Sequence, residues 1–192
     1  MRRVIKVGGS LLLRPKLKDQ LDRWIDAQSP AENLIVVGGG SIVEAVRELD
    51  AVHSLDSDDV HWVCVELLES TRRLVQQLLP DWKTVVTASQ FRGCVERGFS
   101  LDQTTLVSVA SFYNRDCDTL LPKDWRTTTD AIAAYLAVCA NADELVLLKS
   151  CDIDPDWDLD RLIDDGVVDD ATRLIAPDVR LVRVERLPTQ DG

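Results

Sequence analysis

No apolar run in the 192-residue sequence comes near the roughly 18 residues that a membrane-crossing helix needs. The amino terminus, Met1-Arg2-Arg3-Val4, carries two arginines. The apolar stretch behind them is broken at Lys6 and at Gly8-Gly9, so no signal peptide is expected. Basic residues are scarce: 22 Lys and Arg stand against 33 Asp and Glu, a net charge of −11. That balance argues against nucleic acid or an anionic membrane as a partner. Cysteine pairs are missing too. Cys64, Cys94, Cys117, Cys139 and Cys151 are an odd number with no C-x-x-C, which fits free thiols in a reducing cytoplasm better than disulfides or a zinc site. There is no G-x-x-x-x-G-K-[ST] phosphate loop. Gly38-x-Gly40-x-x-Val43 lacks the third small residue of a dinucleotide fingerprint, which leaves a nicotinamide oxidoreductase weakly supported. No repeat or long linker is visible.

What remains is the composition of a folded domain, 45% hydrophobic and 29% charged, arranged as alternating strands and helices. Arg3–Val7 and Leu34–Val37 read as short apolar strands, each running into glycine. Helices are expected at Pro15–Ala27 and Ser41–Asp50. A longer one spans Ser57–Leu79, where Val60, Val63, Cys64, Leu67, Leu68, Thr71, Leu74, Val75 and Leu78 recur at three and four and Ser57 is placed to cap. Thr84–Thr87 and Thr105–Ala110 read as strands, Thr127–Asn141 as a buried Ala-rich helix, Leu145–Leu148 as a strand and Val179–Val184 as the last strand. Asp152–Asp170 reads as a loop with one or two short helices. Continuous apolar strands between helices predict an α/β sandwich with a mostly parallel sheet. One domain over residues 1–187 is expected, with a frayed tail over 188–192.

Five of the nine glycines fall in two loops, Gly8-Gly9 and Gly38-Gly39-Gly40, each after a strand and before a helix. Glycine lets backbone N–H groups approach a phosphate, and the helix start behind it adds favourable potential. Lys6 lies inside an apolar strand, where its charge needs an anion or water unless the strand is an edge from which it snorkels. Lys149 repeats the situation, so the two lysines could converge on one anionic site. Asp130 has two readings: a capping box with Thr127, or a carboxylate that orients both lysines or faces magnesium. His61 beside an apolar stripe is more often a packed residue than a catalyst. Trp62 shares a face with Glu66, Glu69 and Arg73 and is read as a subunit contact. Asp152 to Asp160 alternate as in a calcium loop, but Trp157 stands where its glycine is needed, leaving a solvated acidic loop.

Val4-Ile5-Lys6-Val7-Gly8-Gly9-Ser10, Val36-Val37-Gly38-Gly39-Gly40 and Thr128-Thr129-Asp130-Ala131-Ile132-Ala133-Ala134 together resemble the signature segments of the amino acid kinase superfamily. Val46-Arg47-Glu48-Leu49-Asp50, His61-Trp62 and Asp124-Trp125-Arg126-Thr127 are similar to its short branch containing the aminomethylfuranmethyl-phosphate kinase of methanofuran biosynthesis. The resemblance implies a three-layer α/β/α sandwich and transfer of the ATP γ-phosphoryl, with Mg2+, to a carboxylate, carbamate or phosphate. It implies that Lys6 stabilises the moving group, that Asp130 holds the catalytic lysine, and that Gly8, Gly9, Gly38, Gly39 and Gly40 supply amides. By the same resemblance Ser10, His61, Thr128 and Thr129 lie at the phosphate or substrate. Where many members carry T-D-x-x-G, this chain has Lys149-Ser150-Cys151-Asp152-Ile153, and their downstream catalytic lysine has no obvious counterpart unless Lys149 replaces it.

The resulting expectation is a cytoplasmic, ATP-dependent small-molecule kinase, a homodimer, acting on a phosphate monoester or a carboxylate. The departure near Lys149 keeps a second reading open: a non-catalytic relative that binds an anionic metabolite or nucleotide for regulation or assembly.

Overall fold

The computed structural model describes residues 1–189; residues 190–192 of the expected frayed tail lie outside the described residues. The elements are β1 (Arg2–Val7), α1 (Leu17–Asp26), β2 (Glu32–Val37), α2 (Ser41–His53), α3 (Ser57–Leu78), β3 (Lys83–Val85), α4 (Ala88–Arg97), β4 (Thr105–Val107), α5 (Thr129–Cys139), β5 (Glu144–Lys149), α6 (Leu159–Asp164) and β6 (Val182–Arg186). The six strands form one sheet in the order β3-β4-β2-β1-β5-β6, every pairing parallel. Helices cover both faces, giving the expected α/β/α layers.

Period-two alternation sorts the strand residues between two cores. Val4, Leu34, Val36, Leu145 and Leu147 face the larger core, under α3, α4, α5 and α6. Ile5, Val7, Ile35, Val37, Val146 and Leu148 face the smaller one, against Leu17, Leu21 and Trp24 of α1. By the same alternation Lys6 and Lys149 point to the α5 side. The register sets Lys6 opposite Leu147, so Lys149 stands two residues further toward the strand ends. With β1 flanked by β2 and β5, the edge-strand explanation for Lys6 falls away.

Several boundaries differ from expectation for local reasons. Asp56, not Ser57, caps α3, its carboxylate accepting the Asp59 N–H at 3.0 Å. Residues 15 and 16 form a turn, and α1 starts at Leu17. α2 continues to His53 and stops where Ser54 turns left-handed at φ 51°. The last strand begins at Val182 because Ala176–Asp178 form a 3-10 turn around Pro177. The expected strand at Thr105–Ala110 stops at Val107 and gives way to a 3-10 turn at Val109–Ser111. Unanticipated α4 has a full capping box, with Thr87 bonded to the Gln90 N–H and Gln90 bonded back to the Thr87 N–H. Thr87-Ala88-Ser89-Gln90 is the sequence signal for such a start. Trp62 is a correction: it is 5% exposed and stacks on Tyr113 at 5.2 Å, so it belongs to the core and not to a subunit contact.

Candidate active site

β1 and β2 end beside each other, and their glycine loops touch backbone to backbone. A side chain on Gly9 would lie 2.1 Å from the Gly40 nitrogen, and Gly40 itself sits at φ +56°, a conformation L side chains rarely adopt. This contact is the first reason for the glycines. The Gly8 N–H is donated to the Leu148 carbonyl and the Gly38 N–H to the Val7 carbonyl, so those two amides are spent within the fold. Among the described residues no protein acceptor takes the amides of Gly9, Gly39 and Gly40. These are the loop donors left for an anion. At Gly39 a side chain would meet Val43 Cγ2 at 2.2 Å, so loop packing and ligand access are inseparable there.

A cleft of about 410 Å³ opens over this junction, lined by Lys6, Gly9, Ser10, Gly38, Gly39, Gly40, His61, Thr128, Thr129 and Asp169, together with Glu44, Arg47, Cys64, Asp124 and Trp125. Lys6 enters from β1, and Asp130, 1% exposed, lies on the first turn of α5. Lys6 Nζ is 2.8 Å from Asp130 Oδ1, and Lys149 Nζ is 2.5 Å from Asp130 Oδ2. The structure therefore brings all three together. Burial alone would raise the Asp130 carboxyl. The ammonium groups of Lys6 and Lys149 outweigh it and hold the carboxyl well below the usual carboxylate range.

The capping alternative for Asp130 is corrected. Thr128 occupies the cap position and its side chain makes no capping bond, while the Thr127 hydroxyl donates to the Pro122 carbonyl at 2.6 Å. With both oxygens against ammonium groups, Asp130 is not left facing a magnesium ion. Lys149 stands behind Asp130 and, unlike Lys6, is not part of the cleft wall.

His61, 5% exposed, contacts Tyr113 Oη through Nε2 at 2.9 Å. Burial, with the charge of Lys123 behind it, lowers its pKa, so the ring is neutral at pH 7. Nε2 is engaged by Tyr113, so His61 braces the cleft wall of which it is part. Ser10 Oγ and Ser150 Oγ are 2.8 Å apart, linking the β1 and β5 loops. Cys64 is pushed up to about 11 by burial and stays a thiol.

Two features were not singled out as site residues from the sequence. Arg47 stacks on Trp125 at 4.2 Å, and the Trp125 indole N–H donates to Asp50 at 2.6 Å; only the branch-like segments around them gave a signal. Asp169 is partly buried in the cleft, and burial, then the negative charge of Asp130, push its carboxyl up to about 7. An acidic stretch from Asp164 to Asp170 gave no pattern to mark it.

Residues 1–176 match the sequence model described as the amino acid kinase family. No curated protein matches the chain. Solved structures similar to it include a UMP kinase from Ureaplasma parvum (17% identity, TM-score 0.66, 97% of this chain and 90% of that one). A UMP kinase from Bacillus anthracis aligns at 15% identity and TM-score 0.67, covering 99% and 88%. The uridylate kinase from Archaeoglobus fulgidus aligns at 17% and 0.62, covering 98% and 92%. At these identities the likeness is one of fold.

Proposed function

The chain belongs to the amino acid kinase family, which makes it a small-molecule kinase, and from that premise we propose that it transfers the γ-phosphoryl group of ATP to a small phosphate monoester. The observation that carries this reading is the Lys6–Asp130–Lys149 cluster at the head of a glycine-lined cleft. Phosphoryl transfer asks a protein chiefly for positioning and for neutralisation of charge on the equatorial oxygens. Lys6 supplies the cation in the cleft, Asp130 fixes its direction, and the Gly9, Gly39 and Gly40 amides supply neutral donors.

Magnesium would neutralise phosphate charge. Among the described residues no group of three His, Cys, Asp or Glu side chains could hold it. The fit is therefore to Mg2+ that arrives on the nucleotide phosphates and keeps its waters, the usual habit of that ion.

A phosphate acceptor is favoured over a carboxylate. The structural neighbours are named for UMP, itself a phosphate monoester. The cleft lining also includes Trp125 and the exposed carboxylate of Glu44, which suit a small ring or an amine, as in aminomethylfuranmethyl phosphate. A cytoplasmic homodimer is part of the same reading, supported by Leu49, Val52 and Leu55, which stay exposed along α2 and after it.

The test is ADP release across a panel of small phosphates and carboxylates, with Lys6→Ala as control. Turnover with a phosphate that the control loses supports the reading. One observation favours the non-catalytic alternative: Lys149 stands outside the cleft wall, leaving Lys6 the sole lysine there among the described residues. Nucleotide binding without turnover on any acceptor would establish that alternative.

A further inference from the structure

Among the described residues, Asp169 Oδ2 is a buried carboxylate oxygen with no donor directed at it, and buried Asp130 Oδ1 has the Lys6 ammonium 2.8 Å away as its neighbour. Asp169 comes to the cluster from the 3-10 turn Asp170–Leu174, which packs on α5. The turn is fixed by the Ala171 N–H on the Arg126 carbonyl at 3.3 Å and the Thr172 N–H on the Asp169 carbonyl at 3.0 Å. The Asp130 charge bears directly on Asp169, whose turn packs on the helix that carries Asp130. Two carboxylate oxygens brought together in a buried site repel, and a single hydrogen between them satisfies both.

The charged groups facing Asp169 are Lys6 from β1, Lys149 from β5 and Asp130 from α5. On its own segment Asp170 is exposed, and the Arg126 side chain is tied to Asp124 at 2.7 Å. Both lysines lie against Asp130, and no further cation among the described residues faces Asp169. We propose that Asp169 is a positioning residue of the phosphoryl-transfer site, a carboxylic acid whose O–H donates to Asp130 and leaves the four-residue cluster with one net positive charge toward an anionic substrate. When Asp169 gives that proton to water, the cluster becomes neutral and loses the bond that steadies Asp130 between the lysines. Burial and the Asp130 charge, which outweigh the pull of Lys6 and Lys149, place this change near neutrality.

Carboxyl carbon NMR of the full chain between pH 5 and 9 tests the proton directly. One carboxyl resonance is expected to titrate near 7 and to vanish in Asp169→Asn. A midpoint below 5, or one that moves when Mg2+ is added without nucleotide, overturns the proposal. The kinetic arm rests on the phosphoryl-transfer reading. Wild-type kcat/KM should fall about thirtyfold from pH 6 to 8.5, as for one group near 7 competent only when protonated. Asp169→Asn, which keeps a donor at every pH, should flatten that limb, and Asp169→Ser serves if the first variant does not fold. Parallel wild-type and variant profiles overturn the proposal. Absence of turnover with every acceptor overturns the kinase reading alone, because the NMR titration needs no substrate.

Discussion

Replacing Asp130 by Asn should cost far more than a helix cap is worth. The substitution keeps the shape and removes the one negative charge lying within 2.8 Å of the Lys6 ammonium and 2.5 Å of the Lys149 ammonium. The lysine side chains are 9% and 13% exposed, so water cannot replace the lost partner. Removing one member of a buried pair costs about 3–5 kcal/mol, whereas a lost cap costs about 1 kcal/mol. For a chain of this size that is roughly 6–20 °C in Tm. Urea unfolding of both proteins at pH 7 measures it. The pH course supplies a second check. The folded Asp130 carboxyl lies below its unfolded value, so its contribution is complete above pH ~4 and is lost as the pH falls through the folded value. The gap between the two proteins should narrow as the pH falls below about 4. A loss of 1 kcal/mol or less, or a gap that widens in acid, would refute the idea that Asp130 is the counter-charge of the two lysines.

Lys6→Ala should lower kcat by about a hundredfold to a thousandfold, the scale for one preorganised electrostatic donor, while circular dichroism shows the fold retained; near wild-type turnover would remove Lys6 from the chemistry. Because Lys6, Asp130 and Lys149 act as a unit, Lys149→Ala combined with Asp130→Asn should be little slower than the worse single variant. Fully additive losses would mean that Lys149 works apart from Asp130. Gly9→Ala puts a methyl 2.1 Å from the Gly40 nitrogen, and the backbone shift it forces should lower stability by about 1–3 kcal/mol in a thermal melt. An unchanged Tm would show that the two loops yield freely.

The layer order and the lysine cluster were legible because they rest on local pattern. Apolar runs ending in glycine located β1 and β2, and lysines at odd places in such runs marked Lys6 and Lys149. The partnership of Asp130 was only half legible, since Thr127-Thr128-Thr129-Asp130 satisfies a capping pattern equally well. Asp169 was invisible because its environment is made by β1, β5 and α5, none near it in sequence. The glycines show the reverse error. Their number pointed to a phosphate, yet Gly8 and Gly38 spend their amides on neighbouring strands, a use that depends on strand order. α4 was missed although its capping box is written in four consecutive residues, since the expected strand Thr84–Thr87 took in Thr87, the residue that caps it.

Lys6 sits on the first strand and Lys149 on the fifth, and the two strands lie side by side in register. The charge cluster therefore closes by strand pairing inside the sheet, with no hinge between lobes to bring its halves together. Between those strands the chain must first lay down β2, β3, β4 and five helices. A contact spanning so much sequence comes late and is entropically dear in folding. Phosphate-site competence thus becomes a reporter of the finished molecule: a nascent chain that has not yet released β5 holds both glycine loops, Lys6 and Asp130, but lacks Lys149 and the strand that completes the sheet beside β1.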